Sequence, residues 1–139
     1  MSNQIPRPSA AFISASWAAL ILGTLVYMAG LWNSTMQLNE KGFYFVVLMY
    51  GLFAAISLQK SVRDRVEGLR VSEQYYSICW VSLFICMALL VVGLWNASMA
   101  LSEKGFYAMA FMMCLFGAVA VQKNTRDILL VDSTLVVED

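Results

Sequence analysis

Gly30-Leu31-Trp32-Asn33, followed closely by Glu40-Lys41-Gly42-Phe43-Tyr44, returns later in the chain as Gly93-Leu94-Trp95-Asn96 and Glu103-Lys104-Gly105-Phe106-Tyr107. The offset is 63 residues in both cases, and the same offset carries Trp17 onto Trp80, Gln59-Lys60 onto Gln122-Lys123, and Arg63-Asp64 onto Arg126-Asp127. Between positions 30 and 64, 19 of 35 residues match identically, and the matches include Trp, Asn, Glu, Lys, Gln, Arg and Asp. Shared greasiness cannot produce matches of that kind. Self-similarity at a fixed period marks a duplicated structural unit.

The rest of the chain says what kind of unit it is. Of 139 residues, 60% are hydrophobic and 13% charged, with nine basic and nine acidic side chains. Soluble domains average about 25% charged residues, so this composition excludes an ordinary soluble domain, a disordered chain and a basic nucleic-acid binder. The charges leave four uncharged windows, at 8–39, 42–59, 74–102 and 105–122, in the order long, short, long, short. A bilayer-spanning helix needs roughly 20 apolar residues. The windows therefore predict four transmembrane helices near 10–32, 43–59, 75–95 and 106–122. The short pair reaches about 27 Å, and the flanking Lys41, Lys60, Lys104 and Lys123 extend it by snorkelling. The first window is longer than a secretory h-region and reads as a retained anchor.

The predicted fold is all-α: an integral membrane four-helix protein made of two tandem helical hairpins. The expected organisation is a tail at 1–9, a first two-helix repeat at 10–66, a linker at 67–74, a second repeat at 75–129 and a tail at 130–139. Each repeat holds an even number of helices, so both enter the membrane in the same direction. This parallel repeat differs from the inverted repeats of many alternating-access transporters. Arg7, Lys60, Arg63, Arg65, Arg70, Lys123 and Arg126 fall on one side, with only Lys41 and Lys104 on the other. By the positive-inside rule both termini are expected in the cytoplasm.

The doubled Gly-Leu-Trp-Asn, Glu-Lys-Gly-Phe-Tyr and Gln-Lys-x-x-Arg-Asp pattern resembles the YiaA/YiaB family of small bacterial inner-membrane proteins, over roughly residues 10–129. Two copies resemble the four-helix YiaA type. The resemblance implies a multi-pass location in a bacterial inner membrane; it implies no activity and no catalytic residues.

Each recurring polar residue has a local reading and a functional one. Trp32 and Trp95, with Phe43-Tyr44 and Phe106-Tyr107, suit an aromatic belt at headgroup depth; the alternative is a ligand cage. In the outer loops, Asn39 and Ser102 are expected as helix N-caps, with Glu40 and Glu103 complementing the positive helix ends. Gly42 and Gly105 are expected to allow close helix approach. The alternative is that Asn33, Glu40, Lys41, Asn96, Glu103 and Lys104 form a small polar mouth. On the other side, Lys60 and Lys123 sit four residues before Asp64 and Asp127. Together with Arg63 and Arg126 they suit helix carboxy-termini and are also compatible with phosphate-bearing lipid headgroups. Small residues at Ala11, Ala15, Ala19 and Gly23, at Ser82 and Cys86, and at Gly51, Ala55, Cys114 and Ala118 are expected to form the intramolecular seam.

Absences bound the chemistry. No histidine is present, which removes the imidazole base and the usual haem and zinc ligands. Cys79, Cys86 and Cys114 form no C-x-x-C pair, and no charge falls in a predicted helix core, where proton relays are found. The sequence therefore points away from an enzyme and calls for no cofactor. It favours a non-enzymatic membrane scaffold or accessory protein working through helix packing, lipid or partner contacts. The alternative is a small transporter or channel formed by an oligomer. The implied partners are the bilayer itself, a second copy or another membrane protein, and no nucleic acid.

Overall fold

The structure is a computed structural model describing residues 6–138, so residues 1–5 of the expected N-terminal tail and Asp139 lie outside the described residues. Four helices form, α1 (Ala10–Asn33), α2 (Leu38–Val66), α3 (Glu73–Asn96) and α4 (Leu101–Glu138), with no strand among the described residues. All four are long and apolar enough to cross a membrane.

The 63-residue offset sets the helix boundaries. Ser9 caps α1 by accepting from the Phe12 amide at 3.2 Å, and Ser72, its equivalent, caps α3 by accepting from the Tyr75 amide at 3.2 Å. Both helices end at the repeated Asn, and the following amides, of Ser34 and Ala97, donate back to the carbonyls of Leu31 and Leu94. The second helices begin earlier than their charges suggest. Leu38 opens α2 and Leu101 opens α4, so Asn39 and Ser102 lie inside the first turn rather than at the caps. The N-cap of α2 is Gln37, whose side chain makes no capping bond. At the far end of α2, Gly68 takes φ +79° and lets the Leu69 amide donate to Asp64 O at 2.8 Å. This is a Schellman ending, and the six residues from 67 to 72 then turn the chain into α3. The stretch from 130 onward, expected as a tail, is helical through Glu138 as a continuation of α4, a helix of about 57 Å.

Consecutive helices within a repeat barely touch. Instead α1 packs along α4, α2 packs along α3, and α2 meets α4 in the middle. The first helix of each repeat thus lies on the second helix of the other repeat, around a pseudo-two-fold axis between α2 and α4. The buried positions obey it. Ser16, Gly23, Tyr27 and Leu31 on α1 become Cys79, Cys86, Leu90 and Leu94 on α3, each 63 residues on.

Glycines show how close these crossings are. A Cβ on Gly30 would sit 2.7 Å from the Phe106 ring, and one on Gly93 would sit 2.6 Å from the Phe43 ring. Gly117 is as tight and less forgiving, because a Cβ there would lie 2.6 Å from the backbone nitrogen of Leu20 rather than from a side chain. Gly42 and Gly105 are different: their α-carbons face open space, so they do not serve close approach as expected. The expected small-residue seam is corrected in the same way. Gly23, Gly51, Ala55, Cys86, Cys114 and Ala118 are buried in it, but Ala11 and Ala15 face outward and Ser16 takes the inner position.

Outside the seams the helices are greasy. Phe53 and its equivalent Phe116 are 73% and 68% exposed, and Phe84, Ile21 and Leu25 also point outward. Such a surface is stable only in hydrocarbon. Two substitutions separate the roles of the glycines. Gly117→Ala should cost about 1–3 kcal/mol by forcing α1 off α4, whereas Gly42→Ala should cost nothing or gain up to about 1 kcal/mol from helix propensity. Thermal unfolding of each variant in detergent checks the contrast.

Candidate functional site

The two ends of the bundle differ chemically. At the end carrying the 34–37 and 97–100 loops, the repeats meet around a cavity of about 780 Å3 that opens to the outside. Asn33, Glu40 and Glu103 from the expected polar mouth line it, and so do Ser34, Met36, Gln37, Met99 and Tyr107. No lysine or arginine is among its lining residues. Below Tyr107 the space closes. Tyr27 meets Tyr107 edge-on at 5.7 Å, and Tyr44 stacks on Tyr107 at 6.1 Å. The Tyr27 hydroxyl donates to the Tyr44 carbonyl at 2.8 Å, which satisfies a polar group on a fully buried side chain.

The remaining expected outer residues stand apart from the cavity. Trp32 and Trp95 are 85% and 82% exposed, outward-facing positions that suit an interfacial ring. Lys41 Nζ donates to the Trp32 carbonyl at 3.4 Å, and Asn96 Nδ2 donates back to Val92 O at 2.9 Å. Lys104 and Asn96 do not line the cavity. Serine, methionine and glutamine in the loops escaped the sequence reading, although Met36 and Met99 do recur at the repeat offset.

The opposite end, which carries both described chain ends, is locked by charge. Arg63 donates to Asp127, and its equivalent Arg126 donates to Asp64 at 2.6 Å. Each repeat's guanidinium thus takes the other repeat's carboxylate. Lys60 and Lys123 close the expected i,i+4 bonds to Asp64 and Asp127 at 2.7 and 2.9 Å. Glu67 joins both arginines, accepting from Arg126 at 2.6 Å and from Arg63 at 2.9 Å. Its equivalent position is Leu130, so no repeat logic could reveal it. Of the four expected headgroup contacts, Arg63 and Arg126 are turned inward onto carboxylates, while Lys60 and Lys123 keep about half their side-chain surface exposed.

These groups lie beyond the uncharged stretches that end at 59 and 122, and their protonation follows their partners. The Lys60 hydrogen bond, helped by Arg126, holds the Asp64 carboxyl below its ordinary value against the effect of burial. Burial alone would raise Asp127, but hydrogen bonds from Lys123 and Arg63 outweigh it and leave the group lowered. Arg126 and Arg63 lower Glu67 similarly. Lowered carboxylates stabilise the fold fully above their unfolded values, and that contribution is lost as pH falls through the folded ones. Unfolding midpoints in detergent should therefore hold above about pH 5 and drop below about pH 4. Asp64→Asn with Asp127→Asn should flatten that acid limb. Asp127→Asn alone should cost about 2–3 kcal/mol, by leaving Arg63 without its main partner in a partly buried site.

Comparison with known proteins matches the yiaA/B two helix domain twice, at residues 12–64 and 75–127. Inner membrane protein YiaA of Escherichia coli (strain K12) is 58% identical over 127 residues, covering 91% of this chain and 88% of that protein. Inner membrane protein YiaB of the same organism is 35% identical over 105 residues, covering 75% of this chain and 88% of that protein. The uncharacterized membrane protein YubF of Bacillus subtilis (strain 168) is 34% identical over 62 residues, covering 44% of this chain but 71% of that protein. No solved structure matches.

Proposed function

The chain belongs to the yiaA/B two helix domain family, and from that footing we propose that it is a non-enzymatic scaffold or accessory protein of a bacterial inner membrane. Both termini lie in the cytoplasm in this reading, as the seven-to-two division of basic residues favours. The outer cavity then faces away from the cytoplasm, and the Arg–Asp cluster sits at the cytoplasmic headgroup level, where the exposed halves of the Asp-bonded Lys60 and Lys123 can meet lipid phosphates.

One observation carries the reading. Between the cavity and the charged cluster the bundle is filled. Tyr27, Phe111, Leu48, Val47, Cys86 and Cys114 are at most 2% exposed, and the core runs from Leu31 and Tyr107 down to Ala55 and Leu115 without interruption. A transported solute would have to displace close-packed side chains. What remains for recognition is the open outer cavity, with Glu40 and Glu103, and the lipid-facing surface that a second membrane protein or another copy can cover.

The acidic outer cavity gives the transport reading its one support, since it resembles an entrance. The two readings part in reconstitution. Purified protein in liposomes should pass no ions or small amines above protein-free vesicles, while crosslinking in native membranes should recover a defined membrane-protein partner. Glu40→Gln with Glu103→Gln should weaken that recovery if the partner seats on the cavity. Flux that disappears in the same double variant would replace the scaffold reading with transport.

A further inference from the structure

The two seams of the bundle are equivalent in position but opposite in content. In the α1–α4 seam, Gly23 on α1 lies under Cys114 of α4, where a Cβ on the glycine would be 3.0 Å from the sulfur. In the α2–α3 seam the order reverses: Cys86 on α3 lies over Gly51 of α2, where a Cβ would be 2.9 Å from the sulfur. Gly23 and Cys86 are repeat equivalents, as are Gly51 and Cys114. At this level each seam sets one glycine against one cysteine, and both of these cysteines are fully buried.

A second pair of positions also differs between the two seams. Tyr27 on α1 meets the Phe111 ring of α4 at 6.4 Å. At the equivalent places α3 and α2 carry Leu90 and Leu48, both buried in the same core. Phe111 also reaches across the axis, so that a Cβ on Gly51 would lie 2.7 Å from its ring. The Phe111 ring of one repeat thus has a ring of the other beside it and enters the space left by that repeat's Gly51.

Like-with-like pairing would spoil both seams. If the first repeat packed on a second copy of itself, Gly23 would face Gly51, and the space now filled by a thiol would be empty. If the second repeat packed on its own copy, Cys86 would face Cys114, with Phe111 pressing where no glycine receives it. Voids and overpacking in a close-packed seam are both destabilising. The Arg–Asp pairs offer no such discrimination, because Arg63-Asp64 and Arg126-Asp127 are identical in the two repeats. At the four buried pairs described above, discrimination rests on shape.

We propose that Gly23, Tyr27, Leu48 and Gly51, with their counterparts Cys86, Leu90, Phe111 and Cys114, form a pairing code. The surface of each repeat accepts a repeat of the opposite type and rejects a second copy of itself. Repeat exchange between chains is therefore restricted to reciprocal, opposite-type pairing, and any association of whole copies must use the lipid-facing surface instead.

The test exchanges residues within the full-length chain at constant amino-acid composition. One variant exchanges only the second helices (L48F/G51C/F111L/C114G), another only the first helices (G23C/Y27L/C86G/L90Y), and a third combines all eight changes. Each half-exchange creates like-with-like seams, while the combined variant restores opposite types with the repeats relabelled. Thermal unfolding in detergent should show both half-exchanges melting lower by about 10 °C or more, with the combined variant recovering over half of that loss. Half-exchanges as stable as the unmodified chain would overturn the proposal. So would a combined variant no more stable than the half-exchanges, since the residues would then act singly and not as pairs.

Discussion

The bundle depends on a cross-repeat crossing in which a bare glycine backbone of one repeat lies against the aromatic rings of the other. Gly30 lies against Phe106 and Tyr107, and Gly93 against Phe43 and Tyr44. Lipid supplies no hydrophobic drive between helices, so association relies on close van der Waals approach. Each missing side chain lets an α-helix come near enough for a ring to fill the gap. The doubled Gly-Leu-Trp-Asn and Glu-Lys-Gly-Phe-Tyr segments are thus two halves of one contact, read across the axis rather than along the chain.

Charge finishes at the water boundary what packing begins in the membrane. A carboxylate at the helix ends would be costly to bury alone, and Asp64 and Asp127 are both buried. Their paired cations make that burial tolerable. Because Arg63 reaches Asp127 while Arg126 reaches Asp64, the two bonds also fix the second helices of the repeats in register. The same chemistry differs at the opposite end, where Glu40 and Glu103 border open space. One end of the molecule is tied shut and the other is left accessible.

Much of this was legible in the sequence, for identifiable reasons. Uncharged windows give spans because hydrocarbon excludes charge, and a fixed offset gives equivalent helix ends because identical residues terminate helices identically. The i,i+4 pairing of Lys60 with Asp64 follows from helix geometry alone. The choice of partner helix was not legible. A short loop such as 34–37 invites the reading that α1 packs on α2, and a tandem repeat has the same pattern whichever way its helices pair. Asn39 and Ser102 misled because good capping residues are also tolerated within a first turn. Gly42 and Gly105 misled because a recurring glycine signals close approach only where something approaches. The cavity at the loop end was half visible: its acids stood out by charge, while Ser34, Gln37 and the methionines carry no signal until two loops face each other.

The crossed pairing also bears on biogenesis. Helices α2 and α3 are neighbours in sequence and in space, so they can associate as soon as both have left the ribosome. The partner of α1 is α4, which emerges only after both of them. With Gly23 and Gly30 uncovered, α1 must wait in the bilayer through the synthesis of the whole central pair. During that interval its inner face is open to other membrane helices or to an insertion factor. The order of emergence gives α1 its native neighbour only after α2 and α3 can have theirs.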